Sequence, residues 1–126
     1  KGAFVSFSSS AASTPMLMIG SYGASKAAVS YYTEVLYHEN INSGVQFVCV
    51  CPAVVKTPLL DQAGVWPKMA DQGVVLQPDE VIRGIDKALD KGEFWSHIGR
   101  GVKTGSRFRR FFPNLMWKIV HKVEGR

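Results

Sequence analysis

Apolar residues along this chain form short dense runs separated by longer periodic stretches. "AFVSFS" (3–8) and "VQFVCVC" (45–51) are rich in β-branched and aromatic residues, and the second is apolar at nearly every position, as a strand covered on both faces requires. Between them, residues 21–40 place Ala24, Ala27, Ala28, Tyr31, Val35 and Leu36 at helical spacing, and "NSG" (42–44) stops the helix. Strand, helix and strand in that order predict a right-handed parallel crossover. Further on, "QPDEVIRGIDKALDKG" reads as a helix with Pro78 near its start, Asp79 and Glu80 in the first turn and Gly92 as the stop, and "EFWSHI" (93–98) reads as a third strand. Residues 61–76 show no clear period. "GRGVKTG" (99–105) is spaced Gly-x-Gly-x-x-x-Gly, which fits neither a dinucleotide fingerprint nor a P-loop, and reads as a loop. Alternating strands and helices make this an α/β chain with a parallel sheet.

Composition sets the scale. A chain of 126 residues, 46% of them hydrophobic, supports one modest core and a single domain spanning 1–126. The sequence opens on Lys1 and runs almost at once into a strand, so it reads as cut from something longer. The net charge of +5 is unevenly placed: residues 1–95 hold seven Lys/Arg against nine Asp/Glu, while residues 96–126 hold eight against Glu124 alone. Cys49 and Cys51, two apart in an apolar run, fit neither a redox pair nor a zinc site and read as small core hydrophobes of a reducing compartment, with the cytoplasm as the expected location. His38, His97 and His121 lack ligand spacing, so no metal is expected. No stretch approaches the ~18 apolar residues of a membrane span, and no signal peptide is seen.

The chemistry starts from Tyr22 and Lys26. Four apart at the front of a helix, they share a face, and one ammonium about 4 Å from a phenolate contributes roughly 4 kcal/mol at an effective dielectric of ~20. That is enough to suit a phenol to acid/base work near neutral pH. Ser8, Ser9 and Ser10 end the first strand at the carboxyl edge of the sheet, where open parallel sheets bind ligands and where the crossover helix begins. With hydroxyl, phenol and ammonium converging, "SFSSSAAS", "YGASKAAV" and "VCVCPAVVKTPLL" resemble the short-chain dehydrogenase/reductase family, in which a serine stands thirteen residues before the tyrosine of Tyr-x-x-x-Lys and a Pro-Gly-x-x-x-Thr turn follows. Ser9 is the serine at that spacing from Tyr22. The resemblance covers residues 1 to about 95.

It implies a doubly wound parallel sheet of the Rossmann type, of which this chain would be the carboxyl-terminal half. It also implies an NAD(P)-dependent oxidoreductase interconverting an alcohol and a carbonyl. Ser9 would hydrogen-bond the substrate oxygen, Tyr22 would exchange the proton, and Lys26 would stabilise the phenolate and hold the nicotinamide ribose. Pro52, Ala53, Val55 and Thr57 would line the nicotinamide, with Ala53 standing where the family has glycine. The family's glycine-rich phosphate loop, ribose-reading residue and catalytic asparagine precede the serine motif and have no counterpart here, so the choice between NAD and NADP stays open. Because the cofactor site would be incomplete, the isolated chain is expected to be inactive. An epimerase or dehydratase of the same fold and a catalytically silent nucleotide-binding scaffold are the alternatives.

Two loops, 14–20 and 59–70, offer Met16, Leu17, Met18, Ile19, Leu60, Trp66 and Met69, which favours an apolar alcohol or ketone as substrate. A full-length protein of the family would be a homo-oligomer. In the basic tail, 106–126, Phe112, Leu115, Met116, Ile119, Val120 and Val123 recur at helical spacing after Pro113. The first reading is a terminal helix packed on its own domain or on a second subunit, and the second is a segment lying on an anionic membrane surface. Nucleic acid is not expected, because the basic residues are few and form no recognition module.

Overall fold

Strand β2 (Val45–Pro52) lies at the centre of the structure. In the computed structural model, which describes residues 1–64 and 66–126, it is flanked by β1 (Gly2–Phe7) and β3 (Trp95–Ile98) in a sheet of order β1-β2-β3, with both pairings parallel. Val48, Cys49, Val50 and Cys51 are at most 4% exposed, which is why this run carries no polar alternation. Helix α3 (Pro78–Lys91) covers one face, packing Val81, Ile85 and Ala88 against Val48 and Val50. Its start is held by Pro78 and by a reciprocal Gln77–Glu80 capping box, and Gly92 ends it at φ 66°.

Helix α1 (Gly20–Glu39) covers the other face through hydroxyls. Ser6 Oγ meets Thr33 Oγ1 at 2.8 Å, Ser8 Oγ meets Ser30 Oγ at 2.6 Å, and Ser8 Oγ also donates to the Lys26 carbonyl at 2.9 Å. Thr33, 2% exposed, is the most deeply buried residue of the helix, whereas Tyr31 is 73% exposed. The stripe expected to face the core is therefore corrected in part: Ala24, Ala28, Tyr31 and Val35 lie on the solvent side. Small polar residues that satisfy one another can be buried without hydrophobicity, so the apolar signal of the inner face is reduced to partly buried residues such as Ala27 and Leu36. Cys49 and Cys51 point toward this helix, both free and buried. Hydrogen bonding with Cys49, together with burial, pushes the Cys51 thiol well above its ordinary range.

The stretch without periodicity follows α2 (Pro58–Asp61) and holds a 3-10 turn at Lys68–Gln72. A second correction concerns 99–105, expected to be loop throughout. Gly101, at φ 78°, caps helix α4 (Val102–Phe111), so only the first part of the stretch is a turn. Helix α5 (Pro113–Glu124) follows, with Pro113 in its first turn. At the other end of the sheet, the outer edge of β1 has no partner strand among the described residues, and Phe4 and Phe7 are 43% and 50% exposed.

His97, half-buried on β3, has its imidazolium disfavoured by desolvation and then by the charges of Lys103 and Arg107, so its pKa lies below the ordinary 6.5. The unfolded chain then binds the proton first as pH falls. Stability is full above pH 6.5 and declines as pH drops below it toward the lowered folded value. Urea midpoints measured on either side of that pH are expected to show this acid-side loss in the wild type and a smaller one in His97→Asn. Parallel profiles would exclude His97 as the cause.

Candidate active site

A cleft of about 470 Å³ opens at the carboxyl edge of the sheet, between the ends of β1 and β2, the start of α1 and the segments 57–63 and 66–70. The serine run divides its work there. Ser8 turns inward to tie α1 to the strand, while Ser9 and Ser10 line the cleft. Ser9 caps the 3-10 turn Ser10–Ala12, its Oγ accepting from the Ala11 amide at 3.1 Å. A hydroxyl has one donor and two acceptor positions, so this leaves the Ser9 proton free to donate into the cleft.

Tyr22 also lines the cleft and is 41% exposed. Lys26 stands behind it, its Nζ 5.9 Å from the centre of the Tyr22 ring and donating to the Phe7 carbonyl at 3.0 Å. Phe7 O at the strand end thus anchors the ammonium beside the ring, and Lys26 itself is not part of the cleft wall. Pro52, Ala53, Val55 and Thr57 all line the cleft. Their backbone leaves β2 through a bend at Ala53 and is held on both sides: Ala53 N–H donates to Ile98 O at 2.8 Å, Lys56 N–H to Leu76 O at 2.8 Å, and Leu76 N–H to Val54 O at 2.8 Å.

Ala53 is accommodated by a missing atom opposite. A Cβ built at Gly99 falls 2.6 Å from the Ala53 methyl, and Gly99 itself adopts φ +114°. Residue 99 therefore has no room for a side chain beside the methyl at 53.

The remaining lining is apolar. Met16, Ile19, Leu60 and Trp66 are there as expected, joined by Leu59, Ala63 and Ala70. Leu17, Met18 and Met69 are not, a correction to the expected lining. Met18 takes the left-handed conformation, φ 70°, and is 55% exposed. Met69 instead uses its backbone: its amide donates to a Glu124 carboxylate oxygen at 2.9 Å, fastening the turn that carries Ala70 to the end of α5. Trp66 is steadied by Nε1–H donation to Asp71 at 2.8 Å. The Glu124 link joins residues 55 apart and has no signal in the sequence.

The family model for the short chain dehydrogenase matches residues 1–68, just over half of the chain. This chain belongs to the short-chain dehydrogenase family. Hydroxysteroid dehydrogenase-like protein 1 of Gallus gallus is 35% identical over 68 residues, covering 54% of this chain and 20% of that protein. Estradiol 17-beta-dehydrogenase 2 of Rattus norvegicus is 33% identical over 69 residues, covering 55% of this chain and 18% of that one. A short-chain dehydrogenase from Sphingobium yanoikuyae, solved in complex with NADPH, is 26% identical with a TM-score of 0.65, over 75% of this chain and 36% of its own. The matched stretch thus spans about a fifth of the curated relatives and little more than a third of that solved chain. The α/β arrangement of parallel strands is the partial Rossmann-type domain of this short-chain dehydrogenase family.

Proposed function

We propose that this chain carries the catalytic side of an NAD(P)-dependent short-chain dehydrogenase that interconverts an apolar alcohol and its ketone. The observation that carries the reading is the meeting of Ser9 and Tyr22 in one apolar cleft, with Lys26 behind the phenol and the Pro52–Thr57 segment as the wall. In the reductive direction Ser9 donates its free hydroxyl proton in a hydrogen bond to the substrate carbonyl oxygen. Tyr22 passes its phenolic proton to that oxygen as the carbonyl carbon is reduced, and the phenolate left behind is stabilised by the Lys26 ammonium. Partial exposure of Tyr22 lets solvent return the proton. Oxidation runs the same steps backwards.

A bound nicotinamide dinucleotide would supply or accept the hydride. The residues present fit its nicotinamide end: Pro52, Ala53 and Val55 offer an apolar wall for the ring, Thr57 a hydroxyl, and Lys26, with one N–H already on Phe7 O, further donors for the ribose. Nothing in the sequence supplies a glycine-rich phosphate turn of dinucleotide spacing. The names of the relatives, a hydroxysteroid dehydrogenase-like protein and an estradiol dehydrogenase, agree with the apolar lining in favouring a steroid-like or similarly apolar alcohol. The outward Tyr31 and Tyr32 of α1, 73% and 65% exposed, support a homo-oligomer in a protein of family length.

The test is a panel of apolar ketones and secondary alcohols, polyols as controls, with each nicotinamide cofactor, using a protein of family length that contains this chain. Turnover of the apolar compounds alone supports the reading, and turnover confined to polyols overturns the substrate class. The 126-residue chain alone is expected to show no micromolar binding of NAD(H) or NADP(H) by calorimetry, since it presents only one end of the site. A micromolar dissociation constant would mean that this end suffices.

A further inference from the structure

The elbow between α4 and α5 carries a surface that neither the cleft nor the core uses. Helix α5 buries one arc, Met116 and Val120, 4% and 0% exposed, and packs on the Lys68–Gln72 turn. The adjoining arc, Leu115, Lys118, Ile119 and Lys122 at helical i, i+3, i+4 and i+7 positions, faces outward. Leu115 and Ile119 are 48% and 38% exposed, and the elbow adds Phe111 and Phe112 at 71% and 57%. Arg107, Arg109 and Arg110 lead into it, all exposed.

Charge points to what covers this surface. Residues 96–126 hold eight Lys/Arg against Glu124 alone, and Glu124 accepts from the Met69 amide. The one ion pair among the described residues, Arg83–Asp79, lies on α3; Glu34 and Glu93 border the groove lined by Arg107, Arg109 and Arg110, whereas Lys118 and Lys122 on α5 form no ion pair among the described residues. Contact with a second copy through this face would bring like charges together. Nor does extension of the sheet at the free edge of β1 reach it, because α4 leaves β3 at the opposite end of the β1-β2-β3 order. An apolar centre flanked on α5 by the exposed Lys118 and Lys122 fits a partner with an apolar interior beneath anionic groups.

We propose that the α4–α5 elbow docks this protein on an anionic lipid surface, with Phe111, Phe112, Leu115 and Ile119 entering the headgroup boundary and Arg110, Lys118 and Lys122 facing the lipid anions. The attachment is interfacial: among the described residues no helix is long and apolar enough to cross a membrane. It rests on the surface alone and is independent of the proposed reaction.

Sedimentation of the 126-residue chain with phosphatidylcholine vesicles, with and without phosphatidylserine, tests this. The chain pellets with the anionic vesicles and stays in solution with phosphatidylcholine alone, and added salt weakens the binding. Lys118→Gln with Lys122→Gln lowers affinity by roughly fivefold for each charge removed. Phe111→Ser with Ile119→Ser, exposed positions whose replacement leaves the fold intact, also releases the chain. Equal pelleting with both vesicle types, no pelleting with either, or unchanged affinity in the Lys variant overturns the proposal. So does a dimer, seen by light scattering, that the Phe111→Ser/Ile119→Ser variant dissociates, because a second copy would then occupy the face.

Discussion

Replacing Tyr22 with phenylalanine is expected to lower kcat by roughly 10²–10⁴-fold in a protein of family length carrying this chain, with cofactor affinity changed by no more than about twofold. The substitution removes one oxygen and keeps the ring, so packing over Lys26 and the cleft wall persists while the proton donor is gone. Lys26→Ala should differ in kind. It deletes the cation beside the ring and the bond to Phe7 O, so both turnover and cofactor affinity fall. Steady-state kinetics beside a fluorescence titration of reduced cofactor separate the two. Hydride transfer at a near-normal rate in Tyr22→Phe would remove the tyrosine from the chemistry.

Gly99→Ala is expected to destabilise the fold by about 2–6 kcal/mol, a large share of the roughly 5–15 kcal/mol available to a small domain. Two causes add. The backbone at φ +114° is costly for any residue with a Cβ, about 1–3 kcal/mol, and the new methyl falls 2.6 Å from that of Ala53, a clash of similar size. Ala53→Gly in the same chain should relieve the second cause and leave the first, recovering about 1–3 kcal/mol. Denaturant unfolding of the two single variants and the double variant gives all the terms. A Gly99→Ala midpoint equal to wild type, or no coupling with Ala53→Gly, would show that the turn beside the cleft wall yields freely.

These two positions also show what the sequence discloses. Tyr22 and Ser9 were legible because a fixed spacing on a strand end and a helix start brings them to one sheet edge, and they do share one cleft. Strand β2 was legible because burial on both faces leaves an unbroken apolar run. The inner face of α1 was legible only in part, since its most deeply buried contacts run through Ser30 and Thr33 on Ser6 and Ser8, while Ala27, Leu36 and Tyr37 are only partly buried. The pairing of Ala53 with Gly99 was hidden for another reason. Each looks unremarkable alone, and only the sheet brings them together. The start of α4 was missed because Gly101, a helix cap at φ 78°, sits among glycines that resemble a plain loop. The short α2 and the Lys68–Gln72 turn are too brief to build a period.

The bond from Met69 N–H to Glu124 makes the last helix and one side of the cleft a single mechanical piece. Val120 and Met116 seat that piece from below, and Ala70 carries its movement to the cleft lining. A tilt of α5 would then pull on the cleft entrance. How fast an apolar molecule enters or leaves would therefore be set by forces on the outer surface of the tail, while Ser9 and Tyr22, anchored to the sheet end and to α1, stay in place. Mutations at the last turn would alter how molecules reach the cleft without touching Ser9 or Tyr22, the residues proposed to act there.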